Sequence, residues 1–287
     1  MTYGACFGDV AGAPYEYTGR AENLDDIVLT SSGFDYTDDS VLTCRLASAM
    51  VLLRDADDDS IVSTLSHVYA RSAIEYPGAG WGTRFNMWAH GHDHAPYDSY
   101  GNGSAMRVSS IAWLFDDVEL VLHAAMLSAI PTHNHPEGIR GAKAIALAVF
   151  LARHHEDKES IRESLNKMLD DGGYHYDLSR TVKDIVDDGY GFQVSCQQSV
   201  PEALCAFFDE SSVDYESTIR NTLRLGGDAD TQCAMTGAIA EAMWGMPVSF
   251  IHDEERRLEN AHLSDDMRVF IDGCDAYRES FNPSYQM

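Results

Sequence analysis

Lysine is nearly missing from this 287-residue chain: only Lys143, Lys158, Lys167 and Lys183 occur. Lysine and arginine together number 20 against 46 aspartates and glutamates, a net charge of −26. Such a field repels nucleic acid and anionic membrane surfaces, so neither is expected as a partner. No apolar run approaches the ~20 residues that a bilayer crossing needs. The opening MTYGACFGDV has no basic stretch followed by an apolar core, and no signal peptide is expected. Paired cysteines are absent too. Cys6, Cys44, Cys196, Cys205, Cys233 and Cys274 are scattered with no CxxC spacing. That pattern fits reduced thiols in a cytoplasm better than a disulfide frame or a zinc site. A soluble cytoplasmic monomer is the expectation.

Alternating strand patterns are equally hard to find. Apolar residues instead recur near helical period, as at Val41, Leu42, Leu46, Ala49, Met50 and Leu53. Helices are expected over 39–54, 61–75, 119–129, 137–155, 158–170, 178–188, 200–208, 214–223, 231–245 and 264–281. A further helix opens the chain, where Gly4, Gly8 and Gly12 recur every fourth residue and suit close packing; it ends near Pro14. Glycine-rich connections fall at 76–104, 171–177 and 189–193. With no internal repeat or composition shift, one all-α domain spanning 1–287 is the economical reading.

The chemistry lies in the carboxylates. Adjacent aspartates recur at Asp25, Asp38, Asp57, Asp116, Asp170, Asp187 and Asp265, and most belong on a solvated surface. An acidic residue at a helix start is also an ordinary cap. Two clusters stand apart. Thr37-Asp38-Asp39 and Asp228-Ala229-Asp230-Thr231 each place two carboxylates and a hydroxyl at the head of an apolar helix. If those helices lie side by side, four carboxylates share a small volume, which is unfavourable without cations. An all-oxygen set suits Mg²⁺ or Mn²⁺ rather than Zn²⁺, and the spacing suits two ions bridged by one carboxylate.

Three further stretches bear on a site. In GDVAGAPYE, Glu16 follows the Pro14 helix stop. In GNGSAMR, two glycines with Asn102 and Ser104 at a helix start predict an anion-binding turn of backbone amides. In PTHNHPEG, His133 and His135 flank the turn into the 137–155 helix. The HGHDH run at 90–94 has the donors for a transition metal but reads better as a polar loop, and no metal-finger pattern surrounds H-N-H at 133–135.

In this order the segments GDVAGAPYE, YTDDS, GNGSAMR, THNHPEG and GGDADT resemble those of the ADP-ribosylglycohydrolases. They span residues 8 to 231. The resemblance implies a compact, single-domain orthogonal helical bundle with a centre of two Mg²⁺ (or Mn²⁺) ions. It assigns metal binding to Thr37, Asp38, Asp39, Asp228, Asp230 and Thr231. It matches Glu16 to a mobile acidic residue beside the metals, and Gly101, Asn102, Gly103, Ser104 and Met106 to a pyrophosphate-binding turn. His133 matches a substrate-contacting histidine. Ser40 stands where many relatives have threonine and keeps the hydroxyl.

The activity so implied is hydrolysis of the bond joining ADP-ribose to an acceptor, through an oxocarbenium-like state. A carboxylate deprotonates water: Glu16 first, with Asp38 or Asp228 as the alternatives. Asp98 is placed to assist the leaving group. Arg107 either helps bind the diphosphate or pairs with a core carboxylate. The expected partner is an ADP-ribosylated protein or small conjugate, arginine-linked as in characterised bacterial relatives. Trp81, Phe85, Trp88 and Tyr97 either shape that choice or form a satellite core. The competing readings are a catalytically weak ADP-ribose binder, a toxin-immunity protein, or a structural protein of crystallin type. Retention of all six ligand positions separates the enzyme from these.

Overall fold

Two helices packed backbone to backbone organise the molecule. The computed structural model describes residues 3–18, 23, 27–31, 33 and 35–281, with side chains to 277. The Asp25–Asp26 carboxylates lie outside the described residues, among which there are fifteen α-helices and no strand. Helices α1 (Tyr3–Gly12) and α13 (Ala229–Trp244) are buried along almost their whole lengths. A Cβ added to Gly4 would stand 2.5 Å from the Gly237 carbonyl oxygen, one on Gly8 2.1 Å from that of Cys233, and one on Gly12 2.3 Å from that of Ala229. Positions 4, 8 and 12 thus lie along 237, 233 and 229, and no side chain fits between them. This contact puts Asp9 of α1 into the same electrostatic cluster as Asp230 of α13.

Around that pair, α2 (Asp38–Leu53), α3 (Asp58–Glu75), α7 (Val118–His133) and α8 (Pro136–Arg153) share one core, which includes Leu42, Leu46, Leu65, Tyr69, Ala125 and Ile145. Helices α9 (Lys158–Leu169), α11 (Cys196–Phe208) and α15 (Ser264–Phe281) add to it. Helix α12 (Tyr215–Leu225) closes a second cluster with Phe7, Ile219 and Leu223. All six cysteines are free and buried. No described helix is long and apolar enough to cross a membrane.

Several boundaries differ from the sequence expectation. Helix α7 was expected to stop at 129 but continues through Pro131 to His133. A proline in the last turn removes one ladder bond and ends little else. The result is functional, because the extension carries His133. Helix α11 starts at Cys196, four residues early, with Pro201 inside it. Helix α10 (Val182–Asp187) starts late because Thr181 and Asp184 form a capping box there. Helix α14 (Val248–Asn260) was not expected: it follows Pro247 and buries only Glu254 and Leu258, a stripe too narrow to read. Helix α4 (Thr83–Ala89) lies within the connection expected at 76–104.

Candidate active site

The heads of α2 and α13 meet. Thr37 caps α2 in an extended conformation, its Oγ1 accepting from Asp39 N at 3.3 Å. Asp38 N donates to Ala79 O at 2.7 Å, which ties the helix start to the connection after α3. On the other side, Gly226 and Gly227 take φ of 70° and 97°. Those left-handed values need glycine and turn the chain into Asp228 at the head of α13. Thr231 Oγ1 then donates to Asp39 Oδ2 at 3.3 Å, joining the two halves directly.

Elsewhere the helix-start aspartates do what caps do. Asp57 accepts from Ser60 N, Asp157 from Ser160 N and Asp117 from Glu119 N. Asp228 makes no such cap. Its Oδ2 accepts from Asn102 Nδ2 at 2.6 Å, and it hydrogen-bonds Asp230. Asp39 Oδ1 is buried with no hydrogen-bond partner. An orphaned buried carboxylate oxygen among other carboxylates is unfavourable unless a cation or a proton satisfies it. Glu16, Asp228 and Asp230 each offer a ligand oxygen, all within 4.8 Å of one another, and this group can hold a metal ion. Glu16, read from sequence as outside both clusters, therefore sits against the α13 half. Its carboxylate is half-buried and hydrogen-bonded by Tyr17.

One member was missed. Asp9, fully buried on α1, accepts from Thr37 N (2.9 Å), Thr37 Oγ1 (2.8 Å), Ser40 N (3.0 Å) and Ser40 Oγ (2.5 Å). It locks the head of α2 in place, which explains why Ser40 needs its hydroxyl. The available signal was a lone charge in the otherwise uncharged helix YGACFGDVAG.

Burial and crowding make the ionised forms of these acids unfavourable. Burial is the first cause in every case: Asp9, Asp228 and Glu16 are raised, and Asp39 and Asp230 stand well above the usual carboxylate range. Asp38 is pushed up to about 8 by burial and then by the charge of Asp9. A carboxyl that binds its proton more tightly when folded gives full stability below its unfolded pKa, ~4. It loses that contribution as pH rises through the folded value. The metal-free protein should therefore melt at progressively lower temperature from pH 6 to 8.5, and Asp38→Asn should flatten that slope. Thermal melts in chelator test this; identical slopes in parent and variant would contradict it.

A cleft of about 420 Å³ opens over the carboxylates. Gly101, Asn102, Gly103, Met106 and His133 also line it. The amides of Gly101 and Asn102 are spent on Ser99 Oγ and Val194 O, so those two do not face an anion. Ser104 is fully buried, its hydroxyl donating to Gly138 O at 2.7 Å, and it does not line the cleft. Nor does Asp98, which is exposed, with φ of 57° and its N–H on Asn134 Oδ1. Arg107 is fully buried and donates to Ser128 O and Thr132 Oγ1 rather than to a carboxylate. The aromatics divide. Trp81 stacks on Phe85 and Trp88 tilts against it, and all three join the main core rather than a satellite one, while Phe85 and Tyr97 also reach the cleft.

An all-α bundle with carboxylates from two helix heads beneath a polar cleft defines a narrow class. The chain belongs to the ADP-ribosylglycohydrolase family, whose model matches residues 1–271. It is similar to ADP-ribosylhydrolase ARH3 of Mus musculus, 28% identical over 85% of this chain and 82% of that one. ARH3 of Homo sapiens is also 28% identical, over 74% of this chain and 71% of the relative. A solved ADP-ribosylglycohydrolase-related protein complex shares the fold with a TM-score of 0.67, covering 94% of this chain and 95% of that one at 22% identity.

Proposed function

We propose that the protein hydrolyses the glycosidic bond between ADP-ribose and an acceptor, with a pair of Mg²⁺ or Mn²⁺ ions held by Thr37, Asp38, Asp39, Asp228, Asp230 and Thr231. The observation that carries the reading is the buried carboxylate cluster: Asp39 Oδ1 is buried without a partner, and ligand oxygens of Glu16, Asp228 and Asp230 lie within 4.8 Å of one another. The hard oxygen donors fit these cations. When bound, the ions offset the cluster's charge and polarise hydroxyl and water oxygens. Glu16, at the cleft wall, takes the proton of the attacking water. Its raised pKa brings it closer to neutral pH than an ordinary glutamate. Asn102 holds Asp228 in orientation. The Gly103 end of the glycine turn and His133 receive the diphosphate side of the substrate.

The names of the ARH3 relatives support an ADP-ribosyl linkage. Within that class we take arginine as the acceptor, because a guanidinium suits a cleft edged by Glu16, Asp38 and Asp228 on a chain of net charge −26. A protein that merely gripped ADP-ribose would gain nothing from four crowded acids. The test is a panel of ADP-ribosylated substrates with defined linkages, assayed for free ADP-ribose. Release from the arginine conjugate is expected. Release from another linkage alone would move the acceptor, and ADP-ribose binding without release from any would make the protein a binder.

A further inference from the structure

His133 ends α7 with its ring against the glycine turn. A Cβ added to Gly103 or Gly101 would stand 3.2 or 3.4 Å from His133 Nε2. The other ring nitrogen, Nδ1, lies 2.7 Å from Thr132 Oγ1. Which of the two nitrogens carries the proton is decided one residue further back. Arg107 Nη2 donates to that same Thr132 Oγ1 at 3.0 Å and to Ser128 O at 3.1 Å. A guanidinium can only donate. Thr132 Oγ1 therefore accepts from Arg107 and has one proton left to give. Thr132, His133 and Arg107 are all buried, and a buried hydroxyl proton without an acceptor is costly. The acceptor that the geometry offers it is His133 Nδ1.

We propose that Arg107 and Thr132 are positioning residues that lock His133 in its Nε2–H tautomer, so that the cleft is given one neutral N–H donor for an acceptor oxygen of the bound nucleotide. Arg107 is itself fixed: its guanidinium carbon lies 4.1 Å over the Tyr69 ring, and Tyr69 Oη donates to Ser128 O at 3.0 Å. Burial first, then the charges of Arg107 and Arg84, hold the His133 pKa well below the ordinary imidazole range. The ring is thus neutral, and its single proton is the one that faces the cleft. The Nδ1–H form would leave the buried Thr132 hydroxyl proton without its acceptor and would turn a bare lone pair toward the substrate.

The use of this donor rests on the proposed nucleotide substrate; the tautomer does not, and it is measured without ligand. Long-range ¹H–¹⁵N NMR of the ¹⁵N-labelled full chain at pH 7 should show His133 protonated at Nε2 and bare at Nδ1. Finding the proton on Nδ1 in the parent overturns the proposal, whatever any variant does. Thr132→Val, which keeps the shape and removes the hydroxyl, should lose the single tautomer. It should also weaken ADP-ribose binding, measured by calorimetry, about tenfold, the loss of one hydrogen bond. Thr132→Ser should restore both. A Thr132→Val protein that keeps the Nε2–H form overturns the lock, and one that changes tautomer at unchanged affinity overturns its role in binding. If the parent does not bind ADP-ribose at all, the proposed function fails while the tautomer result stands on its own.

Discussion

Asp230→Asn is expected to abolish turnover, by at least ~10³-fold, while leaving the metal-free protein as stable as the parent or more so. That loss is the upper end for removing one preorganised electrostatic contact. The two halves of the expectation have one cause. Asp230 is buried, and burial together with the charge of Asp228 makes its ionised form unfavourable. Asparagine keeps the shape and the acceptor for Thr231 N, which Asp230 Oδ1 now serves at 2.9 Å. It removes a charge that the folded chain bears at a cost and that a cation requires. Rate assays with a thermal melt in chelator decide it. Near-normal turnover would return Asp230 to the rank of a helix-start residue and dismantle the α13 half of the cage.

Glu16→Gln should lower kcat by at least ~100-fold, the low end of a general-base contribution. Metal binding, by calorimetry, should change much less, and ADP-ribose should still bind. The residue follows a short 3-10 turn, Ala13–Tyr15, and depends on neither helix head for its backbone. A group that takes a proton only as the bond breaks alters turnover more than ground-state binding. Parental rates would make it an idle side chain after a proline stop. Loss of a metal along with activity would make it a ligand, in keeping with its nearness to Asp228 and Asp230, and would move the base to Asp38 or Asp228.

The two halves of the carboxylate cluster are legible in the sequence, for a definite reason. Thr37-Asp38-Asp39 and Asp228–Thr231 each sit in one short stretch, so each half of the carboxylate cluster shows in local spacing. Asp9 was not legible, because its task is to hold Thr37 and Ser40 across 28 and 31 positions of chain. The glycines of α1 read correctly as a packing face, since period four is local. Their partners at 229, 233 and 237 are visible only in the fold. Ser104 and Asp98 failed for opposite reasons: one hydroxyl turns inward to Gly138 O, and the other residue turns outward at a strained φ. Helix α7 outruns its expected end at 129, running through Pro131 to His133.

The central claim is that the heads of α2 and α13 form a cation site on which hydrolysis depends. It is tested most directly by stripping the protein with chelator, measuring bound metal by elemental analysis, and assaying ADP-ribose release as Mg²⁺, Mn²⁺ or Zn²⁺ is returned. The account predicts that activity disappears with the metal and returns with about two equivalents of Mg²⁺ or Mn²⁺, Zn²⁺ substituting poorly. Full turnover in excess chelator, with no metal bound, would contradict it.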